Sequence, residues 1–294
     1  MDDGEFLAAR FEEHRPHLRA VAYRMLGSVS EADDAVQEAW LRLSGANSDE
    51  VENLGGWLTT VVARVALNVL RTRRRRPEEP LETHLPDPII SNAAGMDPED
   101  EALLADSVGL ALLVVLDALT PAERLAFVLH DMFAVSFEDI APIIERTPTA
   151  ARQLASRARR RVRGAPATPE VDTARQREVV DAFLAASRHG DFDALVAVLD
   201  PDVVLRADTG AVPGAVTRVI RGAAAVANQA LTFARFQRAS QPVLVNGSAG
   251  LVSIADGQPV AVMGFTVADG RITEIDILAD PDRLRDIDLD TLRD

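Results

Sequence analysis

Two breaks, one at 77–101 rich in proline and acidic residues and one at 164–170 with two prolines, cut the 294-residue chain into three stretches of different hydrophobic texture. Nothing in the sequence constrains the fold more. A segment with no apolar period has no face to bury, so it separates units that each need a core of their own. The first stretch, 1–76, reads as helical. Val36, Ala39, Trp40 and Leu43 fall at i, i+3, i+4 and i+7 behind a Ser30–Asp33 pair that reads as a capping box. Gly56 to about Arg75 repeats the period, with Leu58, Val61, Val62, Val65 and Val69 expected inward. The break 77–101 reads as a linker.

From Glu101 the helical period resumes through Leu104, Val108, Ala111, Leu112, Val115 and Leu119, giving a second domain over 102–165. Thr120-Pro121-Ala122-Glu123 joins an N-cap, a proline suited to the first helical position and a capping glutamate. Ser136 and Asp139 open another helix, in which Pro142 is tolerable near the start but bends it. Thr147-Pro148 opens the last helix, which ends near Arg163. Two short helices a few residues apart, the second basic, form a helix-turn-helix candidate. The third stretch, 171–294, begins with a helix over 173–199. β-like runs such as VVLRAD, PVLVNG and RITEIDILAD follow, with a helix near 222–235 among them. That order predicts an α+β domain with a curved antiparallel sheet.

The net charge of −15 argues against a general nucleic-acid binder, but the arginines are clustered. Arg71, Arg73, Arg74, Arg75 and Arg76 form one basic island; Arg146, Arg152, Arg157, Arg159, Arg160, Arg161 and Arg163 form another. Two islands in an acidic chain point to two local DNA contacts. Arg64, Asn68, Arg71 and Arg75 share one helical stripe opposite the valines. Asn pairs with base edges and Arg with phosphate or guanine, although a solvated helix face with a basic last turn would look alike. The last helix divides the same way. Ala151, Leu154, Ala155, Ala158 and Val162 face inward, and Thr149, Arg152, Gln153, Ser156, Arg160 and Arg163 outward. There is no cysteine for disulfides or thiolate chemistry, and no apolar run long enough to span a membrane. With an acidic N-terminus unlike a secretory signal, a cytoplasmic location is expected.

Three segments carry a family resemblance. DDAVQEAWLRL (33–43), GWLTTVVARVALNVLRTRRRR (56–76) and the stretch 119–162 resemble, in order and spacing, regions two and four of extracytoplasmic-function sigma factors of RNA polymerase. The resemblance implies that Asp33, Asp34, Gln37 and Glu38 bind the β′ clamp of core polymerase and that region four meets the β flap. It implies that Asn68 and the arginines after it read the promoter −10 element. The loop 44–55 would cradle an extruded base. The helix 149–163, with Thr149, Arg152, Gln153, Ser156, Arg157 and Arg160, would read the −35 element. One departure is Glu145-Arg146 in the turn where the family usually carries glycine.

Residues 175–294 resemble a SnoaL-like domain of the NTF2-like superfamily, which a sigma-factor subgroup carries as a fusion. LPDP (85–88) in the linker and DPDRL (280–284) match that subgroup's short motifs, and its glycine-rich motif appears here as Asp208-Thr209-Gly210-Ala211. Asp208, Gly210, Asp280, Pro281, Asp282, Arg283 and Leu284 are therefore expected to make a regulatory contact. Related pockets catalyse with a buried Asp or His, and the inward candidates here are Arg206, Asp208, Asp276 and His189. No Asp–His pairing is visible, so the chain is not expected to be an enzyme; His14, His17, His84 and His130 are scattered and read as surface or core histidines, so no metal is expected, and no cofactor. A small-molecule ligand in the pocket stays open, as does the alternative of a SnoaL-type enzyme with a DNA-binding appendage.

Overall fold

The computed structural model describes residues 3–45, 53–75, 85–92, 109–163, 172–210, 218–234, 239–285 and 287. They fall into two compact units. The first takes Met1–Leu81, Pro98–Asp106 and Val115–Ala165; the second takes Glu82–Asp97, Ser107–Val114 and Pro166–Asp294. Part of the stretch read as a linker thus belongs with the tail.

In the first unit, α1 (Asp3–Leu26), α2 (Val29–Ser44) and α3 (Leu54–Arg75) pack together. Gly27, at φ 71°, ends α1 in the left-handed conformation that glycine adopts without cost. Ser28, not Ser30, is the cap of α2: its side chain accepts from the Glu31 amide, and Ser30 lies inside the first turn. On α3 the buried residues include Leu58, Val61, Val62, Ala66 and Leu67, while Val65 and Val69 are half-buried. α4 (Leu110–Asp117), whose residues up to Val114 belong to the second unit, buries Leu110, Leu113 and Leu116 rather than the expected Ala111, Leu112 and Val115. Residues 101–108, where that helix was expected to begin, lie outside the described residues.

The Thr120 capping box forms in full. Glu123 donates its amide to the Thr120 hydroxyl, and Glu123 Oε2 accepts from the Thr120 amide. α5 (Pro121–Phe127) widens into a π turn, Val128–Met132. α6 (Phe137–Ile143) starts at its Ser136 cap and stops one residue after Pro142, which therefore sits in its last turn and not near its start. α7 (Pro148–Arg163) follows, with Thr147 Oγ1 accepting from the Ala150 amide. The α6–α7 turn shows how the family's glycine is replaced. Glu145 takes φ 58°, and the Arg146 amide donates to the Ala141 carbonyl at 3.0 Å. The Schellman closure is kept, at a steric cost of about 1–2 kcal/mol for a side chain in the left-handed region.

The second unit is the α+β domain. α8 (Thr173–His189) and α9 (Phe192–Val198) are split by Gly190 at φ 73°. β2 (Leu199–Asp208), β3 (Arg218–Arg221) and α10 (Ala223–Ala234) follow, then β4 (Ala239–Val245), β5 (Ser248–Ala255), β6 (Gln258–Ala268), β7 (Arg271–Leu278) and α11 (Pro281–Leu284). The seven-stranded sheet has the order β1-β4-β5-β6-β7-β2-β3, where β1 is Ile90–Asn92 from the supposed linker. The β2–β7 pair is parallel, so the sheet is mixed and not wholly antiparallel as expected. β1 runs antiparallel to β4, and Ile89 and Asn246 exchange hydrogen bonds beside it: the Ile89 amide donates to Asn246 Oδ1 and the Asn246 amide to the Ile89 carbonyl. The helices cover one face of the sheet, with Phe183, Leu195 and Val226 in one core with Leu205, Leu251, Phe265 and Ile275. Burying each such side chain contributes about 1.5–3 kcal/mol.

Candidate nucleic-acid, polymerase and linker interfaces

Along α2 the buried residues Ala32, Ala35, Val36, Ala39 and Leu43 leave the opposite face to solvent. Asp34 and Gln37 are exposed there, and so is Leu41, a large apolar side chain 57% exposed on the same stripe. Asp33, expected beside them, is turned toward α1, where Arg19 Nε donates to its carboxylate at 2.6 Å. Glu38 accepts from Arg42 at 2.9 Å, an exposed pair one helical turn apart.

On α3, Arg64 and Asn68 are exposed and Arg71 is half-buried. Arg73 does not lie along that stripe: it donates to the Leu26 carbonyl at 3.1 Å and pairs with Glu31, tying the end of α3 to the α1–α2 turn. Arg74 is exposed; the Arg75 side chain, Arg76 and most of the loop expected to cradle a base lie outside the described residues.

On α7 the buried Ala151, Ala155 and Ala158 set the inner face. Thr149, Arg152, Gln153, Arg160 and Arg163 are exposed opposite, with Ser156 half-buried between them. The Arg152 guanidinium lies 5.2 Å from the centre of the Phe137 ring, a cation–π contact that steadies it at the start of the helix. The flanks of α7 are held by acids. Arg157 donates to Glu123 Oε1 at 3.1 Å, Arg161 to Glu123 Oε2 at 2.8 Å, and Arg159 to Asp131 at 2.5 Å. Burial pushes the Glu123 carboxyl up, but the Thr120 hydroxyl and amide and the two arginines outweigh it and hold it below the ordinary glutamate value.

In the second unit, three short motifs meet at Arg283. Its Nε donates to Asp87 at 2.8 Å, Nη1 to Asp208 Oδ2 at 2.9 Å and Nη2 to the Leu85 carbonyl at 2.7 Å. The same Asp208 oxygen accepts from the Leu85 amide at 2.9 Å, and Oδ1 accepts from the Gly210 amide at 3.0 Å. Gly210, at φ 60°, lies so close to Asp280 that a Cβ there would overlap its carboxylate. Asp280 in turn caps α11 through the Asp282 amide. Asp208, Gly210, Asp280 and Arg283 are thus brought together with Leu85 and Asp87, while Asp282 is exposed and pairs with Arg285. Pro281 fills the first position of α11, and Leu284 is buried.

The chain matches the Sigma-70 region 2 family over residues 10–76 and the Sigma-70 region 4 family over residues 109–162. It is 37% identical over 289 residues to the ECF RNA polymerase sigma factor SigJ of Mycobacterium tuberculosis, covering 94% of this chain and 92% of that protein. The probable ECF RNA polymerase sigma factor SigI of the same species is 34% identical, covering 97% of both chains. The crystal structure of SigJ superposes with a TM-score of 0.77 at 35% identity, covering 97% of this chain and 99% of that one. The chain belongs to the extracytoplasmic-function sigma factors of RNA polymerase.

As such it directs promoter-specific transcription through core polymerase and promoter DNA. In this sigma factor the exposure of Leu41 and the ion pairs of Glu123 and Asp131 with arginines of α7 were not read from the sequence. Leu41 lies i+3 and i+4 from Glu38 and Gln37, a visible spacing, but Glu123 was already accounted for by its cap and Asp131 had no signal.

The acids named as inward in the tail lie on the other side of the sheet. Leu205, Ala207, Ile275 and Ile277 face the helices, so the strand alternation turns Arg206, Glu274 and Asp276 to the opposite face. There Arg206 donates to Asp276 at 3.1 Å and to Glu274 at 2.9 Å. Burial raises the Asp276 carboxyl from 3.8 to about 6, with Glu274 adding to the rise and Arg206 opposing it. The folded state then holds this proton more tightly than the unfolded state. The contribution to stability is fully present below about pH 4 and is lost as pH rises to about 6, a difference of about 2–3 kcal/mol. Asp276→Asn is expected to flatten that slope, read as hydrogen exchange of the β2 and β7 amides from pH 4 to 7. An unchanged slope would assign the proton elsewhere. His189 caps nothing in the core; it is exposed and bonds the Ala185 carbonyl at the end of α8.

Proposed function

We propose that this sigma factor reads the −10 element with Arg64, Asn68 and Arg71 on α3 and the −35 element with Thr149, Arg152, Gln153, Ser156 and Arg160 on α7. Asp34, Gln37 and Glu38 on α2 bind the β′ clamp, the α5–α7 unit meets the β flap, and the chain works in the cytoplasm. The observation that carries this reading is the same on both reader helices. Each packs its apolar stripe inward and leaves polar side chains exposed opposite, Arg64 and Asn68 on α3 and Thr149, Arg152, Gln153 and Arg160 on α7, types suited to base edges and phosphate. Opening the duplex needs bases extruded from the stack, at a few kcal/mol each, which contacts to the single strand offset.

The tail acts as a built-in regulator through the Arg283 contact with the LPDP segment. That segment lies between the two readers in the sequence, so tying it to the tail's sheet limits how the readers can be arranged. A tethered contact needs little intrinsic affinity, because effective concentrations of order millimolar are supplied by the chain itself. Acid–base catalysis in the tail is disfavoured by the apolar lining between helices and sheet. The test is promoter-specific initiation with purified core polymerase by the full chain, by a chain lacking 171–294 and by one lacking 280–294. Initiation by the full chain, with altered output or promoter choice in both truncations, is expected. Truncations that match the full chain would remove the tail as regulator and return a separate enzymatic or ligand-sensing role to consideration.

A further inference from the structure

On a helical projection at 100° per residue, Thr149, Gln153, Ser156 and Arg160 of α7 lie within about 40° of one direction, and Arg152 about 60° to one side. Arg157 and Arg161 stand about 80° and 120° to the other side, and Arg159 about 80° away on the Arg152 side. The two flanks are tied to acids on the helix segment that α7 packs against. Glu123, whose side chain is 5% exposed, takes Arg157 on one oxygen and Arg161 on the other. Asp131, on the π turn that continues the same helix, takes Arg159.

We propose that Glu123 and Asp131, with Arg157, Arg159 and Arg161, form a two-sided clamp that sets the roll of the −35 reading helix, and that Arg157 is a positioning residue and not a DNA contact. The fully buried residues on the inner face of α7 are three small alanines, and the larger Leu154 and Val162, expected inward with them, are only half-buried. Ala side chains interlock weakly with a neighbouring helix, so they leave rotation about the helix axis loosely determined. A roll of about 20° at a radius of about 6 Å moves a side-chain root by about 2 Å, enough to break a bidentate hydrogen bond to a base. Ion pairs on both flanks resist rotation in both senses. The Glu123 pairs are the better anchored, because its carboxylate is already held by the Thr120 hydroxyl at 2.8 Å and is nearly buried.

This inference rests on α7 being the −35 reader, and the experiment separates the two claims. Holoenzyme formed with the full chain is measured against promoter fragments carrying each single substitution in the −35 element, over a range of salt. Three variants are compared: Glu123→Gln, Arg157→Ala and Gln153→Ala. Glu123→Gln keeps a capping-box residue at that position while removing the charge. A clamp predicts that Glu123→Gln and Arg157→Ala each lower discrimination at several −35 positions at once, on the order of fivefold. It predicts an unchanged salt slope and a double variant no worse than either single one. If Arg157 and Arg161 instead touch phosphate, Glu123→Gln frees them. Binding to every sequence then tightens and the slope steepens, and Arg157→Ala lowers it by about 0.9, which overturns the clamp. Gln153→Ala controls the underlying reading. If it changes preference at one position while Glu123→Gln changes none, the clamp fails and the reader stands. If it changes none, the assignment of α7 fails.

Discussion

Replacing Arg283 by alanine is expected to free the segment 85–92 from the sheet and to lower the stability of the C-terminal unit by about 3–5 kcal/mol. The guanidinium bonds Asp87, Asp208 and the Leu85 carbonyl, and its side chain is 17% exposed. Its loss takes away the guanidinium that balances the buried Asp208 carboxylate, to which the Leu85 and Gly210 amides also donate. That is the costly half of breaking a buried pair. Arg283→Lys keeps the charge but not the fork, so it should restore only part of the loss. Hydrogen exchange at Leu85, Ile89 and the β1 amides is the direct reading: protection should fall in the alanine variant before the rest of the sheet exchanges. Unaltered protection over 85–92 would mean that the β1–β4 pairing alone holds the segment, and the regulatory contact would lose its physical basis.

The second large effect concerns α2. Asp34→Arg together with Glu38→Arg reverses two charges on the face proposed to meet the polymerase, and like charges across an interface cost several kcal/mol. Co-purification with core polymerase is expected to fall by at least about 100-fold. The fold should survive, since Asp34 is exposed and the Glu38–Arg42 pair is a surface pair worth at most about 0.5 kcal/mol. Trp40 and Trp57 lie on α2 and α3, so tryptophan fluorescence during thermal unfolding reports on this unit and checks that survival. Co-purification at the unaltered level would remove α2 from the polymerase interface.

The helix starts at Thr120, Ser136 and Thr147 were legible because capping is local chemistry, settled within three residues of the cap. The polar rows on α3 and α7 were legible for a similar reason: periodicity places residues on a face before any partner is known. These features also carry the family resemblance, so the class of function could be read from the chain alone. Where a segment offers two equivalent answers, the sequence by itself does not choose. Ser28 and Ser30 both suit an N-cap, and the left-handed Gly27 decided for Ser28. The α4 segment LALLVVLD is apolar nearly all round, so only its packing could select Leu110, Leu113 and Leu116.

Tertiary structure alone decided the long-range matters. Ile90–Asn92 is a strand only because β4 offers it an edge some 150 residues later in the chain. The parallel β2–β7 pair, and with it the face to which Arg206 and Asp276 point, depends on which strands become neighbours. Arg73 and Arg157 look like the other arginines of their islands in sequence. Only the fold brings Glu31 and Glu123 within reach of them, and the energy of an ion pair falls so steeply with separation and solvent that no spacing rule along the chain foretells it.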